Sequence, residues 1–358
     1  MRELILKDKW TAAGADFGAL GGAQCVANFG DVGRELNALR TTAALCDFSF
    51  SKIFEYGESD GIDFLDTRLA ANILKLRYGR VIDTFLADES GRIAAEAFVA
   101  NAADKVVAVC EPLSDGAVSV LAEPPEADKT ADRVLLSVDG PLAWRVARDV
   151  FGSDILNLSV LSVEKYDFDG ADVFLMRNGR TGEFGYQFLA PASAAESLYG
   201  KISASLESVG GTLCGFDAHA IARLEGNFFN VYAEGAKIGC PLELGLQWMV
   251  DFDKESFDGF GAIFAKRNAG VERTVVGLKT SGAIPERAEI FDGSEKVGEV
   301  AVSAESPTLS ANIGLGLFSK EYAASGFDFS LSPDSPATVS TVSRPFVFAA
   351  SLERGMDG

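Results

Sequence analysis

The stretch "RVIDTFLADESGRIAAEAFVANAADKVVAVC", Arg80 to Cys110, decides the fold. Apolar residues alternate with others through much of it, and the pattern breaks at "DESGR" and "NAADK". Period-two runs split by short polar turns predict three antiparallel strands in succession. A parallel sheet would need a long crossover, usually a helix, between such strands. Around this core the periodicity switches. Residues 30–46 place Leu36, Leu39, Ala43 and Ala44 on one side of a helix. "DGIDFLDTRLAANILKL" has Asp60 as a candidate N-cap, with Ile62, Leu65, Leu69 and Ile73 at helical intervals. Downstream, "DGPLAWRVARDVFG" and "DAHAIARLEGNFF" read as helices, and "SVEKYDFDGADVFLMRNGRTGEFGYQFLAP" as a strand meander. "ASAAESLYGKISASLESVG" reads as a helix stopped at Gly210-Gly211. This order implies an α+β protein with mixed antiparallel sheets and helices. From about residue 272 short apolar runs alternate with Gly, Pro and Ser breaks, which predicts a C-terminal β-barrel domain. The expected division is 1–270, two α+β lobes, and 271–358, the barrel.

Composition narrows the function. The chain has 358 residues, 47% of them hydrophobic, and a formal net charge of -20. Such a polyanion repels phosphate backbones, so nucleic acid is not an expected partner. No apolar run approaches the roughly 20 residues that span a bilayer, and "MRELILKDKW" is not a signal peptide, so no membrane partner and a cytoplasmic location are expected. Five cysteines, at 25, 46, 110, 214 and 240, include no C-x-x-C pair, and there is one histidine, His219. A zinc site and a disulfide framework are therefore not expected, and the metal expectation is none. Chemistry here would rest on carboxylates, hydroxyls and positioning.

Four stretches, in order, resemble one family. "GRVIDTFLADESGRIAAEAFV" is similar to the strand hairpin G-R-x-x-x-T-x-x-x-x-x-x-G-x-x-x-D-D of folate-dependent aminomethyltransferases. "RTGEFGYQF" resembles their G-Y-T-G-E-D-G-F-E segment. "AIARLEGNFFNVYAEG" and "CPLELGLQWMVDFDKESFDGFGAIFAKR" resemble R-L-E-x-G followed by T-P-x-E-A-G-L-x-W-x-V. The run from "VGL" to "SPTLSANIGLGLF" resembles V-G-L through S-P-T-L-x-x-N-I-A-L-G-Y. The likeness covers about residues 35 to 320 and is to the T protein of the glycine cleavage system and its relatives.

That resemblance implies an aminomethyltransferase-like folate-binding fold with tetrahydrofolate in a central hole. It places Glu96 where the family has the second Asp of D-D, beside the nitrogen that receives the carbon, with Ala95 in place of the first. Asp83 stands where the family often has Tyr, so two acids would face one pocket and raise the pKa of one. A lone strand carboxylate is otherwise usually exposed, and both acids also admit that reading. Gln187 replaces the pterin-binding Glu, and Arg180 the Tyr of G-Y-T-G. Gln187 is equally readable as an outward polar residue. Glu183 is a further cofactor-site candidate or a tie for its own turn. His219 takes the place of an Arg, and Trp248 matches the Trp of G-L-x-W, as pocket wall or core. Arg223 and Glu225 are expected to pair, and Phe50 stands where relatives have His. These departures favour a tetrahydrofolate-dependent transferase or demethylase acting on a small methylated N-, S- or O-substrate. The alternatives are a true aminomethyltransferase, which would also need a lipoyl carrier protein, and a non-catalytic folate-binding protein.

Overall fold

The computed structural model describes residues 1–102, 104–336 and 338–356. The Arg80–Cys110 stretch forms β1 (Val81–Ala87), β2 (Ile93–Ala102) and β3 (Lys105–Pro112). All three pair antiparallel, and Lys52–Gly57 adds on to β3 to complete a four-stranded sheet. The "DESGR" break is a turn held by Asp88, whose Oδ1 accepts from Ser90 N–H, Ser90 O–H and Arg92 N–H at 2.9, 2.6 and 3.0 Å. Gly91 takes φ +78°, and a Cβ there would lie 3.0 Å from Ile263. Glycine thus serves both the turn and the approach of the Phe260–Ala269 helix.

Strand β2 is buried on both faces, and the period of two sorts its residues. Ala95, Ala97 and Val99 pack with Tyr56, Leu65 and Leu69 beneath the Glu58–Arg68 helix. Phe98, Ala100 and Ala102 face the other way, onto Phe48 and Phe50. Glu96 shares this second face, so its carboxyl points inward rather than to solvent.

A second sheet contains β4 (Arg133–Asp139), β5 (Ala171–Met176) and β6 (Gly185–Pro191). Its order is Thr212–Leu213, Ala44–Asp47, β4, β6, β5, Val163–Phe168. The Ala143–Phe151 and Ala195–Ser208 helices cover it, setting Trp144, Val146, Leu198 and Ile202 against Leu136, Val138 and Phe188. Helix α1 (Phe216–Gly226) leads from this sheet towards the barrel. The third sheet runs Glu289–Asp292, Glu295–Ser306, Ala311–Ser319, Arg273–Thr280, Val339–Val342, Asp328–Phe329. A bridge between Phe291 and Ser330, with N–H donors meeting carbonyls at 2.9 and 3.1 Å, joins its two edges into a nearly closed barrel. The α+β expectation and the barrel are therefore both met.

Two local expectations differ. The helix read over 30–46 spans Val32–Thr41, and Ala44–Asp47 is a strand. Pairing with β4 and with Thr212–Leu213 overrides the helical spacing of Ala43 and Ala44. The helix expected to start at Asp60 starts at Glu58 with Gly57 as its N-cap. Asp60 lies in the first turn, where a carboxylate still meets the positive end of the helix.

Barrel and lobes are tied through Glu225. Its carboxylate accepts from Arg40 Nε at 2.9 Å and Ser306 Oγ at 2.6 Å, and its carbonyl from Phe346 and Val347 N–H.

Candidate active site

A cavity of about 520 Å³ opens where the first sheet, the β5–β6 loop, the 227–249 segment and the barrel meet. Leu224, Leu244, Met249, Val275 and Leu315 supply apolar wall, and Asp83, Glu96, Asn178, Arg180, Glu234 and Arg344 supply polar groups. This is the size and mixture of a small-molecule or cofactor site.

Its polar floor follows from strand register. Glu96 on β2 sits opposite Phe85 on β1 and opposite Glu111 on β3. Asp83, two residues before Phe85, lies on the same face. Arg180 comes down from the β5–β6 loop with its guanidinium 3.4 Å from the Phe98 ring centroid. Its Nη1 lies 2.8 Å from Glu96 Oε1 and 3.1 Å from Glu111 Oε1. Arg223, fully buried on α1, forks onto Glu111 at 2.8 and 3.1 Å.

Three carboxyls thus share two guanidiniums in a buried site, and their proton affinities separate. Burial pushes Glu96 up to about 8, against the pull of Arg180 and Arg223 and with the push of Glu111 and Asp83. Burial raises Asp83 as well, opposed by Arg180 and Arg223. Glu111 goes the other way: although burial works to raise it, Arg223 and Arg180 outweigh burial and hold it below the usual range. At the opposite wall burial raises Glu234 to about 7, although Asn230 N–H donates to its Oε1 at 2.8 Å. Four buried polar atoms at the cavity have no hydrogen-bond partner among the described residues: Asp83 Oδ1, Glu96 Oε2, Asn178 Oδ1 and Arg180 Nε. Such orphans are costly unless a ligand or solvent completes them.

The residues singled out from sequence divide. Glu96, Asp83, Arg180, Glu183 and Trp248 line the cavity. Trp248 is 66% exposed and forms rim, not core. Glu183 spends its carboxylate on the C-terminal segment and not on its own turn: it accepts from Ala350 N–H, Ser351 N–H and Ser351 O–H at 3.1, 2.9 and 2.5 Å. Gln187 does not reach the cavity. It is buried on β6 opposite Ser137, and its Oε1 accepts from Asn178 Nδ2 at 3.1 Å, so Asn178 stands at the wall in its place.

His219 is also withdrawn. It lies on α1 behind Arg223, packed by Phe48, and its Nδ1 accepts from Arg223 Nε at 3.3 Å. Burial and the guanidiniums of Arg223, Arg180 and Arg40 hold its imidazole well below the ordinary range, hence neutral. The expected Arg223–Glu225 pair does not form. Helical spacing sends the two side chains to different faces, Arg223 to Glu111 and Glu225 to Arg40. Phe50 is core, edge-on to Phe216. Sequence reasoning missed Glu111, Asn178, Glu234 and Arg344. For Glu111 a signal existed: it is the carboxylate that ends the apolar run "VVAVC".

Comparison with known proteins places this architecture. Residues 6–254 match the GCVT N-terminal domain model, and residues 273–347 the glycine cleavage T-protein C-terminal barrel domain. The aminomethyltransferase of Geobacillus thermodenitrificans (strain NG80-2) is 30% identical over 334 residues, covering 87% of this chain and 89% of that protein. The aminomethyltransferase of Bacillus subtilis (strain 168) is 27% identical, covering 84% and 86%. The crystal structure of the glycine cleavage system aminomethyltransferase T from Bartonella henselae superposes with a TM-score of 0.80 at 24% identity, covering 97% of this chain and 98% of that one, a likeness of fold. Both domain models follow in order along one chain, and their junction falls at the Phe260–Ala269 helix that precedes the barrel, so the chain belongs to the glycine cleavage T-protein family, the folate-dependent aminomethyltransferases.

Proposed function

We propose that this chain transfers a one-carbon unit to tetrahydrofolate held in the 520 Å³ cavity, in the manner of an aminomethyltransferase. The observation that carries the reading is the set of unpartnered atoms, Asp83 Oδ1, Glu96 Oε2, Asn178 Oδ1 and Arg180 Nε, inside apolar walls. A flat heterocycle with N–H donors and ring acceptors answers those atoms, and Arg177 and Arg344, which also line the cavity, suit the carboxylates of its tail. Asp83, Glu96, Asn178 and Arg180 would hold the ring end. Glu183 would act indirectly, by keeping the C-terminal segment in the wall, and Trp248 would close the rim. When bound, tetrahydrofolate supplies the amine that accepts the carbon.

Glu96 supplies the proton chemistry. A carboxyl that titrates near pH 8 still carries its proton at neutral pH. Its Oε2 can then give that proton to the amine that departs as the carbon is transferred. Arg180 holds Oε1, which fixes the carboxyl plane. The apolar wall excludes water, which shortens the path of the carbon and guards it from hydrolysis. In this reading the donor is an aminomethyl group on a lipoyl carrier protein.

A second reading rests on the Arg180–Glu96 contact. The family motifs carry Tyr and Asp at these two positions, so the paired substitution alters the floor where donor and acceptor meet. It suits a small methylated N-, S- or O-substrate that gives up its methyl group to tetrahydrofolate. The test is direct. Calorimetry with tetrahydrofolate is followed by product analysis, with a loaded lipoyl carrier in one arm and methylated metabolites in the other. Methylene-tetrahydrofolate and ammonia in the carrier arm support the first reading, and methyl-tetrahydrofolate in the other arm the second. Absence of tetrahydrofolate binding removes both.

A further inference from the structure

Glu111 has no role in the chemistry above, yet it is the carboxylate beneath the cavity floor that holds both arginines. It is 2% exposed and sits across from Glu96 in the β2–β3 pairing. It takes both prongs of Arg223, at 2.8 and 3.1 Å, and a third bond from Arg180 at 3.1 Å. Glu96 is left with Arg180 alone at 2.8 Å, and its Oε2 stands 3.6 Å from Arg223, beyond hydrogen-bond reach.

We propose that Glu111 is a positioning residue that engages both arginines and thereby leaves Glu96 as the carboxyl that carries the proton. The proposal rests on the reading of Glu96 as the proton donor. The charges facing Glu96 come from every element around it: Asp83 on β1, Glu111 on β3, Arg180 from the β5–β6 loop and Arg223 on α1. The Tyr232 phenol lies nearby on the 231–235 turn, and its own high proton affinity keeps it neutral. Behind Arg223, His219 is neutral, and Asp139 Oδ2 lies 3.8 Å from its Nε2. Two fixed positive charges therefore meet three acids. The best-bonded acid, Glu111, ionises, and the acid with one bond and one bare oxygen keeps its proton. Removing the charge of Glu111 frees both arginines for Glu96 and removes a like charge. Both changes favour ionised Glu96.

The test is an infrared titration of the full chain, reading the carbonyl band of protonated carboxyls. In the parent at neutral pH the Glu96 band must be present and must vanish in Glu96→Gln. A band that survives there and disappears in Glu111→Gln places the proton on Glu111 and overturns the proposal. In Glu111→Gln the midpoint of the Glu96 band should fall by about one pH unit or more, a tenfold change in proton affinity. Glu111→Asp keeps the charge and should leave the midpoint close to the parent. An unmoved midpoint in Glu111→Gln overturns the proposal, and if that variant does not fold, the parent against Glu96→Gln still decides which carboxyl holds the proton. The infrared reading needs no tetrahydrofolate. A chain that shows the band but no transfer activity would refute the proposed function and leave the role of Glu111 standing. If transfer is found, the alkaline limb of its pH profile should move down with the band, with little change in KM for tetrahydrofolate.

Discussion

Replacing Glu96 by Gln keeps the shape of the side chain and removes its proton chemistry, so catalysis and stability should part company. If Oε2 gives a proton to the departing amine, the transfer rate falls roughly 10²–10⁴-fold. Affinity for tetrahydrofolate should change little, because the amide still offers a donor and an acceptor to the same neighbours. Stability should move the opposite way. The carboxyl has an ordinary value of 4.5 and is raised to about 8 by burial in the folded chain. A group raised on folding contributes most below its unfolded value, and that contribution is lost as pH rises through the folded value. At pH 7 the 2.5-unit gap from the ordinary value of 4.5 amounts to about 3 kcal/mol against the parent, a cost the neutral amide does not carry. Glu96→Gln should therefore match the parent near pH 4 and gain on it up to about pH 8. Steady-state transfer assays from about pH 6 to 9 read the first effect, and urea unfolding from about pH 4 to 8 reads the second. The parent rate should fall through an alkaline limb near pH 8, absent in the variant. Parental turnover in Glu96→Gln, or a variant that loses stability as pH rises, would refute this account of the carboxyl.

Other expectations follow from the same contacts. Glu183→Gln weakens the charge-assisted bonds to Ala350 and Ser351, so it should cost about 1–3 kcal/mol and speed proteolysis of the C-terminal segment, with a smaller effect on rate than Glu96→Gln. Arg223→Met leaves Glu111 buried with half its partners and should destabilise by about 3–5 kcal/mol in urea titration. Trp248 is exposed at the rim while Trp10 and Trp144 are buried, so tetrahydrofolate should change Trp248 emission, and Trp248→Phe should abolish that change without abolishing calorimetric binding.

Much of this protein is written in local pattern. The period of two in Arg80–Cys110 and the breaks at "DESGR" and "NAADK" are enough for an antiparallel sheet, because side-chain alternation and turn chemistry are properties of neighbours in sequence. Four ordered motifs likewise identify the family, and the alignment of Glu96 with an acidic position needs only register. What remained hidden needed distance. Gln187 and Asn178 are both polar residues near one turn, and nothing local says that the first is capped by the second and withdrawn from the wall. Arg223 reads as a partner for Glu225, two positions away, until the helix turns them apart and β3 brings Glu111, 112 positions earlier in the chain, beneath the guanidinium. Glu234 and Arg344 lie on opposite sides of the lobe–barrel junction and share a cavity only after the barrel docks. Sequence by itself determined the Arg80–Cys110 strands, the barrel and the family, since these follow from periodicity and short-range sterics. Only the tertiary structure decided that Glu111 ionises while Glu96 keeps its proton, because that depends on how two guanidiniums from separate elements are shared among buried acids.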